Sequence, residues 1–429
     1  MRRITFLSTV AGALALVAAP AAGQLLGGLP VGRPLGGLTG PLLGNDTATR
    51  AAVTAPLDMV RTAIPDAPPA SLLSLRRDRL RQLVRTNRDV LDTDDDGNPV
   101  RRDVIVGIDL SDTALAAARD AGFRVIDSVA LESLGFRTTT LAAPKGTSAR
   151  KALSRLRAVN PTGSYTLDHV YQPAGGALAL APAEAIEHGS AGEPVIGLID
   201  GGVGAHPAFK NARLEQRGFA GAPRPSGHGT AVASLLVGAA GAFRGAAPRA
   251  SLLVADVYGG SAANGSAAAI VRAMAWLAQR NVRVINVSLV GPPNALLEAG
   301  VKALSARGVA VVAAVGNDGP AAPPQYPASY PGVVAVTGVD ARSRALIEAG
   351  KPTHLDFAAP GAEMAGAVPG GGWEALRGTS FAAPLVAARL ALRGSVEALG
   401  GEARPGAGRV GRGIVCGDCR TPPRAVGIR

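Results

Sequence analysis

From Pro194 onward, short apolar runs alternate with helical patterns, and this alternation restricts the possible folds more than any other feature of the chain. Alternating strands and helices predict a parallel, doubly wound α/β sheet, whose functional side chains lie at the carboxyl ends of the strands. The predicted strands are 195–199, 251–257, 282–287, 309–315 and 333–339, and the predicted helices are 230–237, 267–280, 295–307 and 381–393.

The composition agrees with such a sheet. Hydrophobic residues make up 47% of the 429 residues, which excludes the disordered class for most of the chain. Aromatic residues make up only 3%, so the core must be packed from Ala, Val, Leu and Ile. Side chains of these types suit a parallel sheet that is buried on both faces.

A second, smaller unit precedes this sheet, and we assign it to residues 101–172. Its order of predicted elements is strand, helix, strand, strand, helix, strand, which is the βαββαβ order of a ferredoxin-like α+β domain. This order implies no function by itself. The predicted strands are 103–108, 123–130, 136–142 and 165–170, and the predicted helices are 112–121 and 148–159.

The first 23 residues have the order of a secretory signal peptide. Two arginines follow Met1, an apolar run covers residues 4–19, and small residues end the segment at Gly23. An uncleaved membrane anchor is the alternative, although the run is short for a membrane span. We therefore expect export to the periplasm or the medium, without a stable membrane anchor.

Residues 24–100 read as a leader rich in Gly, Pro and Leu that ends in a short amphipathic helix, 71–87. The acidic run 92–103 is similar to a calcium loop, but Pro99 and a final Asp fit that motif poorly, so a solvated turn is preferred. Residues 173–190 read as a linker between the two units.

The net charge is +12, and residues 404–429 hold six arginines against one aspartate. No aromatic residues are interleaved with these arginines, so we expect a solvated surface and no nucleic-acid partner.

The basic tail 416–429 begins with Cys416 and Cys419, the only cysteines. In an oxidising compartment these cysteines are expected to form a local disulfide. A metal site would need more ligands, and a redox role is a weaker alternative.

Three side chains in the larger unit could cooperate in acyl transfer. Asp200 ends an apolar strand, His228 lies between two glycines at a helix entry, and Ser380 begins a helix after Gly378 and Thr379. Taken singly, the Asp and the Ser could be helix caps, and the His a turn residue or metal ligand. Together they supply a nucleophile, a base and a carboxylate that orients the base.

An oxyanion donor completes the set. Asn317 follows an apolar strand, so its side-chain amide lies at the carboxyl edge of the sheet; a simple turn residue is the alternative. Its amide, with the backbone N–H of Ser380, could stabilise a developing negative oxygen.

The order Asp200, His228, Asn317, Ser380 resembles the subtilisin-like serine peptidases. The resemblance includes the segments Gly227-His228-Gly229-Thr230 and Gly378-Thr379-Ser380 and extends over residues 191–415. It implies hydrolysis of peptide bonds in protein substrates, with Ser380 as nucleophile, His228 as proton shuttle, Asp200 orienting His228, and Asn317 as the oxyanion donor.

The resemblance also implies where substrate binds. Residues Ser288, Leu289, Val290 and Gly291 would pair with it as an extra strand. A second segment, Ala313, Ala314, Val315 and Gly316, would form a wall of the primary specificity pocket, and its alanines suggest room for a sizeable apolar side chain.

The small N-terminal unit is similar to the family's propeptide, which acts in cis as folding assistant and inhibitor until the chain is cut. By analogy the cut would fall between Gln172 and about Ser190.

Two residues depart from the family pattern. Gly201 stands where a hydroxyl residue is usual, and Val290 stands where a small residue is common.

The compact spacing leaves little room for calcium loops, so no metal or cofactor is expected. An alternative hypothesis is a catalytically silent binding protein of the same fold; an esterase is a weaker one, because Ser380 lacks a Gly-x-Ser-x-Gly elbow.

Overall fold

The computed structural model describes residues 69–174 and 194–429, which all belong to one compact unit. The predicted signal peptide, most of the leader and most of the linker 173–190 lie outside the described residues. Within them, no helix is long and apolar enough to cross a membrane.

The N-terminal unit begins with helix α1, Pro69–Thr86, and strand β1, Leu91–Thr93. The predicted βαββαβ order then follows. Its elements are β2 Pro99–Ile108, α2 Asp112–Asp120, β3 Arg124–Leu131, β4 Phe136–Ala142, α3 Ala149–Val159 and β5 Ser164–His169.

Strands β2 to β5 form an antiparallel sheet in the order β5-β2-β4-β3, which is the ferredoxin-like arrangement, and β1 adds to the edge of β2. Strand β2 starts four residues before the predicted 103, because residues 99–101 pair with β1. A register shift between Val100 and Ile105 interrupts its pairing with β5. Asp103 has a φ of 55° at this irregularity.

The acidic run forms a turn between β1 and β2. Asp94 Oδ1 accepts hydrogen bonds from the backbone N–H groups of Asp96 and Asn98, at 3.0 and 2.7 Å, and Asp94 Oδ2 lies 3.1 Å from His169 Nε2. Burial raises the pKa of Asp94, but the hydrogen bonds from His169 and Asn98 outweigh it, and the pKa is lowered. The Asp94 carboxylate is therefore committed to holding the turn.

The larger unit is built on seven main strands. They are β7 Val195–Asp200, β8 Arg213–Gly218, β11 Ser251–Asp256, β12 Val284–Val287, β14 Ala310–Ala314, β15 Val333–Val339 and β16 Phe357–Pro360. These strands form one sheet in the order β16-β15-β14-β12-β7-β11-β8, and every neighbouring pair is parallel. The short strands are β6 Gln172–Pro173, β9 Ala239–Ala240, β10 Phe243–Arg244, β13 Leu289–Val290, β17 Met364–Ala367 and β18 Trp373–Leu376.

Helices cover both faces of this sheet, as the doubly wound prediction requires. They are α4 Gly227–Val237, α5 Ala267–Gln279, α6 Ala295–Ala306 and α7 Thr379–Arg393, and α8 Val396–Gly400 follows. Alternate strand residues separate into two core layers: Val312 packs with α4 and α7, whereas Val311 packs with α5 and α6.

The C-terminal tail is packed and not simply solvated. Val415 is fully buried and its N–H donates to Ala358 O at 2.7 Å, beside the edge strand β16. Ile428 also packs against the core layer of α4 and α7. Cys416 and Cys419 form the expected local disulfide. Their sulfurs are thus paired with each other, although with Asp418 they make a group of three possible metal ligands within the described residues.

Candidate active site

Asp200 and His228 form a buried pair at the carboxyl edge of the sheet. Asp200 is the last residue of the interior strand β7, and His228 is the second residue of α4. His228 Nδ1 lies 2.9 Å from Asp200 Oδ1, and neither side chain is exposed to solvent. The same oxygen accepts the Gly201 N–H at 2.7 Å, so the carboxylate is held from two directions.

The sequence around His228 permits this approach of helix to strand. Ser226 caps α4, accepting a hydrogen bond of 2.9 Å from the Gly229 N–H. A β-carbon on Gly229 would lie only 2.2 Å from Gly201 O. Glycine is therefore required at this position for α4 to start beside the end of β7.

Ser380 lies at the start of α7 and is completely buried. The preceding Gly378 has a φ of 141°, a conformation that residues with a β-carbon rarely adopt. A β-carbon on Gly378 would also lie 2.9 Å from Asn317 Nδ2. The glycine thus brings the helix start and the Asn317 side chain together.

Asn317 is oriented by Thr379. The Thr379 N–H donates to Asn317 Oδ1 at 2.9 Å, and Thr379 Oγ1 accepts from the Gly316 N–H at 3.2 Å. Because Oδ1 is occupied as an acceptor, the Nδ2 group of Asn317 is left to donate elsewhere. This is the orientation that an oxyanion donor needs.

Four functional atoms in this region are buried and have no hydrogen-bond partner among the described residues. They are Asp200 Oδ2, His228 Nε2, Asn317 Nδ2 and Ser380 Oγ. Buried polar atoms without a partner are rare in folded proteins, and a cluster of them is typical of a site that binds or transforms a ligand. Ser380 Oγ and His228 Nε2 are not hydrogen-bonded to each other in this state.

The segment assigned to substrate pairing is occupied by the chain itself. Leu289 and Val290 form β13, which pairs antiparallel with β6, so that Leu289 lies opposite Pro173 and Val290 opposite Gln172. Ser288 Oγ donates to Ser380 O at 2.9 Å, which connects this segment to the start of α7. Gly291 pairs on its other side with Tyr326.

The four residues assigned to the pocket wall do not all face the same way. Ala314 packs in the core layer that also contains Val290 and Ala174. Ala313 and Val315 pack in the opposite layer with α5 and α6. Gly316 follows β14 and has a φ of 91°. Tyr171 and Leu289 belong to the layer of Ala313 and Val315, whereas Ala174 and Val290 belong to the layer of Ala314, so the occupied segment packs with residues of both layers.

Sequence reasoning missed two residues near the occupied segment, Tyr258 and Gln325. The Tyr258 hydroxyl donates to Tyr171 O at 2.9 Å, and burial, with the nearby Asp200 and Asp256 carboxylates, raises the Tyr258 pKa well above its ordinary value. Gln325 is 4% exposed and packs against Gly316. Tyr258 follows an apolar strand that ends at Asp256, a position that could have marked it.

Comparison with known proteins agrees with this geometry. The model of the subtilase family matches residues 192–398, which include all four residues named above. Subtilisin Savinase of Lederbergia lenta is 35% identical over 203 residues, which are 46% of this chain and 74% of that protein. The chain belongs to the subtilase family.

Other comparisons extend the assignment. An alkaline protease of Alkalihalobacillus alcalophilus is also 35% identical over 203 residues, and the match spans only 53% of its length. Fervidolysin from Fervidobacterium pennivorans, a keratinolytic enzyme related to subtilisin, has a TM-score of 0.62 at 16% identity; the match covers 76% of this chain and 61% of that one. The likeness to fervidolysin shows that the fold is shared. The family and the names of the sequence relatives support a serine endopeptidase as the enzyme class of this subtilase.

Proposed function

We propose that this subtilase is an exported serine endopeptidase that is made as a zymogen and inhibited in cis by its N-terminal unit. The observation that carries the proposal is the convergence of Asp200, His228, Asn317 and Ser380 at one edge of the sheet, next to a strand of the chain's own N-terminal unit. Export rests on the signal-like sequence of residues 1–23.

The residues divide the chemistry in the way that peptide-bond hydrolysis needs. Ser380 Oγ attacks the carbonyl carbon while His228 Nε2 takes its proton. Asp200, bonded to Nδ1 at 2.9 Å, keeps the imidazole in the tautomer whose Nε2 can accept that proton. Asn317 Nδ2 donates to the oxygen that becomes negative, and His228 then returns the proton to the leaving amine.

Three contacts support inhibition in cis. Strand β6 occupies the edge that an extended substrate would use, through its pairing with β13. The Asp168 carboxylate accepts the Ala268 N–H at 2.9 Å at the start of α5. On α6, the cap residue Asn294 donates to Leu167 O at 2.8 Å. The N-terminal unit is thus anchored on two helices while its last strand blocks the cleft.

The proposal is tested with a fluorophosphonate probe and with casein as substrate. Wild type should label and cleave casein, and Ser380→Ala should do neither. Ser305→Ala, an exposed serine on α6, is the matched control and should behave as wild type. Casein cleavage that survives in Ser380→Ala would contradict the proposal, and a folded wild type that neither labels nor cleaves would favour a silent binding protein.

A further inference from the structure

The last residues of the N-terminal unit lie in the cleft in a fixed register. The Ala174 N–H donates to Ser288 O at 2.9 Å, and Gln172 and Pro173 lie opposite Val290 and Leu289. The Tyr171 N–H, at the other end of the segment, donates to Gly265 O at 2.9 Å. The segment 171–174 is therefore held as the middle strand between two stretches of the larger unit.

This register places Ala174 nearest to the nucleophile. The two strands are antiparallel, so the segment advances toward Ser288 as it approaches Ala174. Ser288 is itself bonded to Ser380, through Oγ and the Ser380 carbonyl at 2.9 Å. The carbonyl group of Ala174 is thus the next group along the strand on the Ser380 side.

Tyr171, three residues before Ala174, fills a pocket that suits its shape and its hydroxyl. Its side chain is fully buried, and its hydroxyl donates to Pro292 O at 2.7 Å. Its ring lies against Gly291, where a β-carbon would come within 2.5 Å of it. The Tyr258 hydroxyl also fixes the Tyr171 carbonyl. A residue without a ring would leave this pocket empty, and one without a hydroxyl would leave Pro292 O without its donor.

The cleft is narrow at Gly316, which the resemblance to the subtilisin-like peptidases assigns to the wall of the primary specificity pocket. A β-carbon on Gly316 would lie 3.2 Å from Gln325 Cγ and 3.5 Å from Val290 Cγ1, so both side chains converge on this glycine. Ala174 is only 4% exposed. Since Gln325 and Val290 fill the side of the cleft that Gly316 lines, a large side chain at the position of Ala174 would require one of them to move.

We propose that the chain is cut on the carboxyl side of Ala174, and that the mature enzyme prefers substrates with a small residue at the cleaved position and tyrosine three residues before it. This inference rests on the proposed function and specifies its substrates. Gln325 is the residue that restricts the cleaved position to small side chains.

The step follows the proposed mechanism. Ser380 Oγ adds to the Ala174 carbonyl carbon, and its proton passes to His228 Nε2. The bond from that carbon to the nitrogen of residue 175 breaks, and His228 protonates the departing amine. Water, deprotonated by His228, then hydrolyses the ester, which returns the proton to Ser380 and leaves a free carboxylate on Ala174.

The cut is tested on the full chain by measuring the intact masses of the fragments from the earliest time of processing. The N-terminal fragment should end at Ala174 and its partner should begin at residue 175. A first fragment that ends elsewhere would overturn the inference while leaving the endopeptidase assignment intact. Absence of both processing and probe labelling at Ser380 would overturn both.

Specificity is tested on the mature enzyme with acetylated tetrapeptide p-nitroanilides. Tyr-Gln-Pro-Ala should be cleaved with a kcat/KM roughly tenfold or more above those of Ala-Gln-Pro-Ala and Tyr-Gln-Pro-Phe. Gln325→Gly should raise the rate on the Phe peptide relative to the Ala peptide. As a control in the zymogen, Gln172→Ala should leave the position of the cut unchanged, because the Gln172 amide donates to the backbone carbonyls of Tyr171 and Ala262. Equal rates on the three peptides would refute the specificity.

Discussion

The guanidinium of Arg79 lies 2.7 Å from Asp318 Oδ1, and Asp318 directly follows Asn317 in the chain. Arg76 reaches the other carboxylate oxygen at 3.1 Å. Leu72, from the same helix, packs against Gly319. Helix α1, which lies outside the βαββαβ order, therefore holds the loop that carries the proposed oxyanion donor.

Loss of these ion pairs should weaken inhibition by the N-terminal unit. We expect the double change Arg76→Ala with Arg79→Ala to raise the inhibition constant of the cleaved N-terminal unit by roughly tenfold. The effect should be no larger than this, because Arg79 is partly exposed. Residual peptidase activity measured over a dilution series gives this constant. Arg77→Ala, which changes an exposed arginine on the same helix, is the control. The effect of the double variant on the inhibition constant should shrink at high salt. Equal inhibition constants for the double variant and the control would contradict the role of α1.

The Asn317 side chain should act in the transition state and not in substrate binding. Asn317→Ala removes the Nδ2 donor, which has no partner among the described residues. We expect kcat to fall about 10²–10³-fold with a small change in KM; this fall in kcat is the range measured for an asparagine oxyanion donor in subtilisin, a member of the same family. Asn211→Ala, an exposed control, should keep full activity. A rise in KM with kcat unchanged would show that Asn317 only binds substrate.

Asp200 Oδ2 has no hydrogen-bond donor among the described residues, and the neighbouring Gly201 has no side chain that could supply one. A hydroxyl at position 201 should supply one, so Gly201→Ser should increase the free energy of unfolding by about 1–2 kcal/mol. It should also raise kcat, because a firmly held carboxylate holds His228 more firmly. Thermal unfolding and steady-state kinetics measure the two effects. Gly201→Ala adds a side chain without a donor, and an equal response in both variants would exclude the hydroxyl as the cause.

The ion pairs of Glu402 should increase the free energy of unfolding at neutral pH but not in acid. Its carboxylate bonds Arg389 at 2.9 and 2.6 Å and Arg393 at 2.8 Å, and both arginines lie on α7, the helix that begins beside Ser380. The hydrogen bonds from Arg389 lower the pKa of Glu402 below its ordinary value of 4.5. The ion pairs therefore stabilise the folded state above that value, and the contribution is lost as the pH falls below it.

At neutral pH, Glu402→Gln should lower the free energy of unfolding by roughly 1 kcal/mol or less, because the arginines are partly exposed. As the pH falls below the ordinary pKa of Glu402, the difference in stability between variant and wild type should shrink. Thermal unfolding across this pH range measures the difference. Glu397→Gln, on the exposed side of α8, is the control. A difference that stays constant with pH would contradict the role of the ion pairs.

Most of the sheet and both helical layers could be predicted because their strands are apolar throughout. Strand β8 was missed, since its sequence is largely polar and it lies at the sheet edge, where one side needs no partner strand. Strand β16 was also missed, because it has only four residues and ends at Pro360. Strand β8 thus lacks the apolar run on which the strand predictions depend, and the apolar run of β16 is too short to be recognised as a strand.

The four proposed catalytic residues could be predicted because each follows a strand or begins a helix beside a glycine. The roles of Tyr258 and Gln325 could not be, because they depend on which segment of the chain packs against them. Tyr258 bonds a backbone carbonyl 87 residues earlier in the sequence. Nothing local in the sequence around Tyr258 indicates that partner.

In the proposed zymogen, the pairing of β6 with β13 joins an inhibitor and its target that are encoded in a single chain. While they remain covalently connected, each cleft meets its own inhibitor at an effective concentration of roughly millimolar, whatever the amount of protein present. A cut after Ala174 turns this into an encounter between two molecules. From that moment the volume into which the protein is released decides how many clefts are open, so export itself, by dilution, would favour the active enzyme.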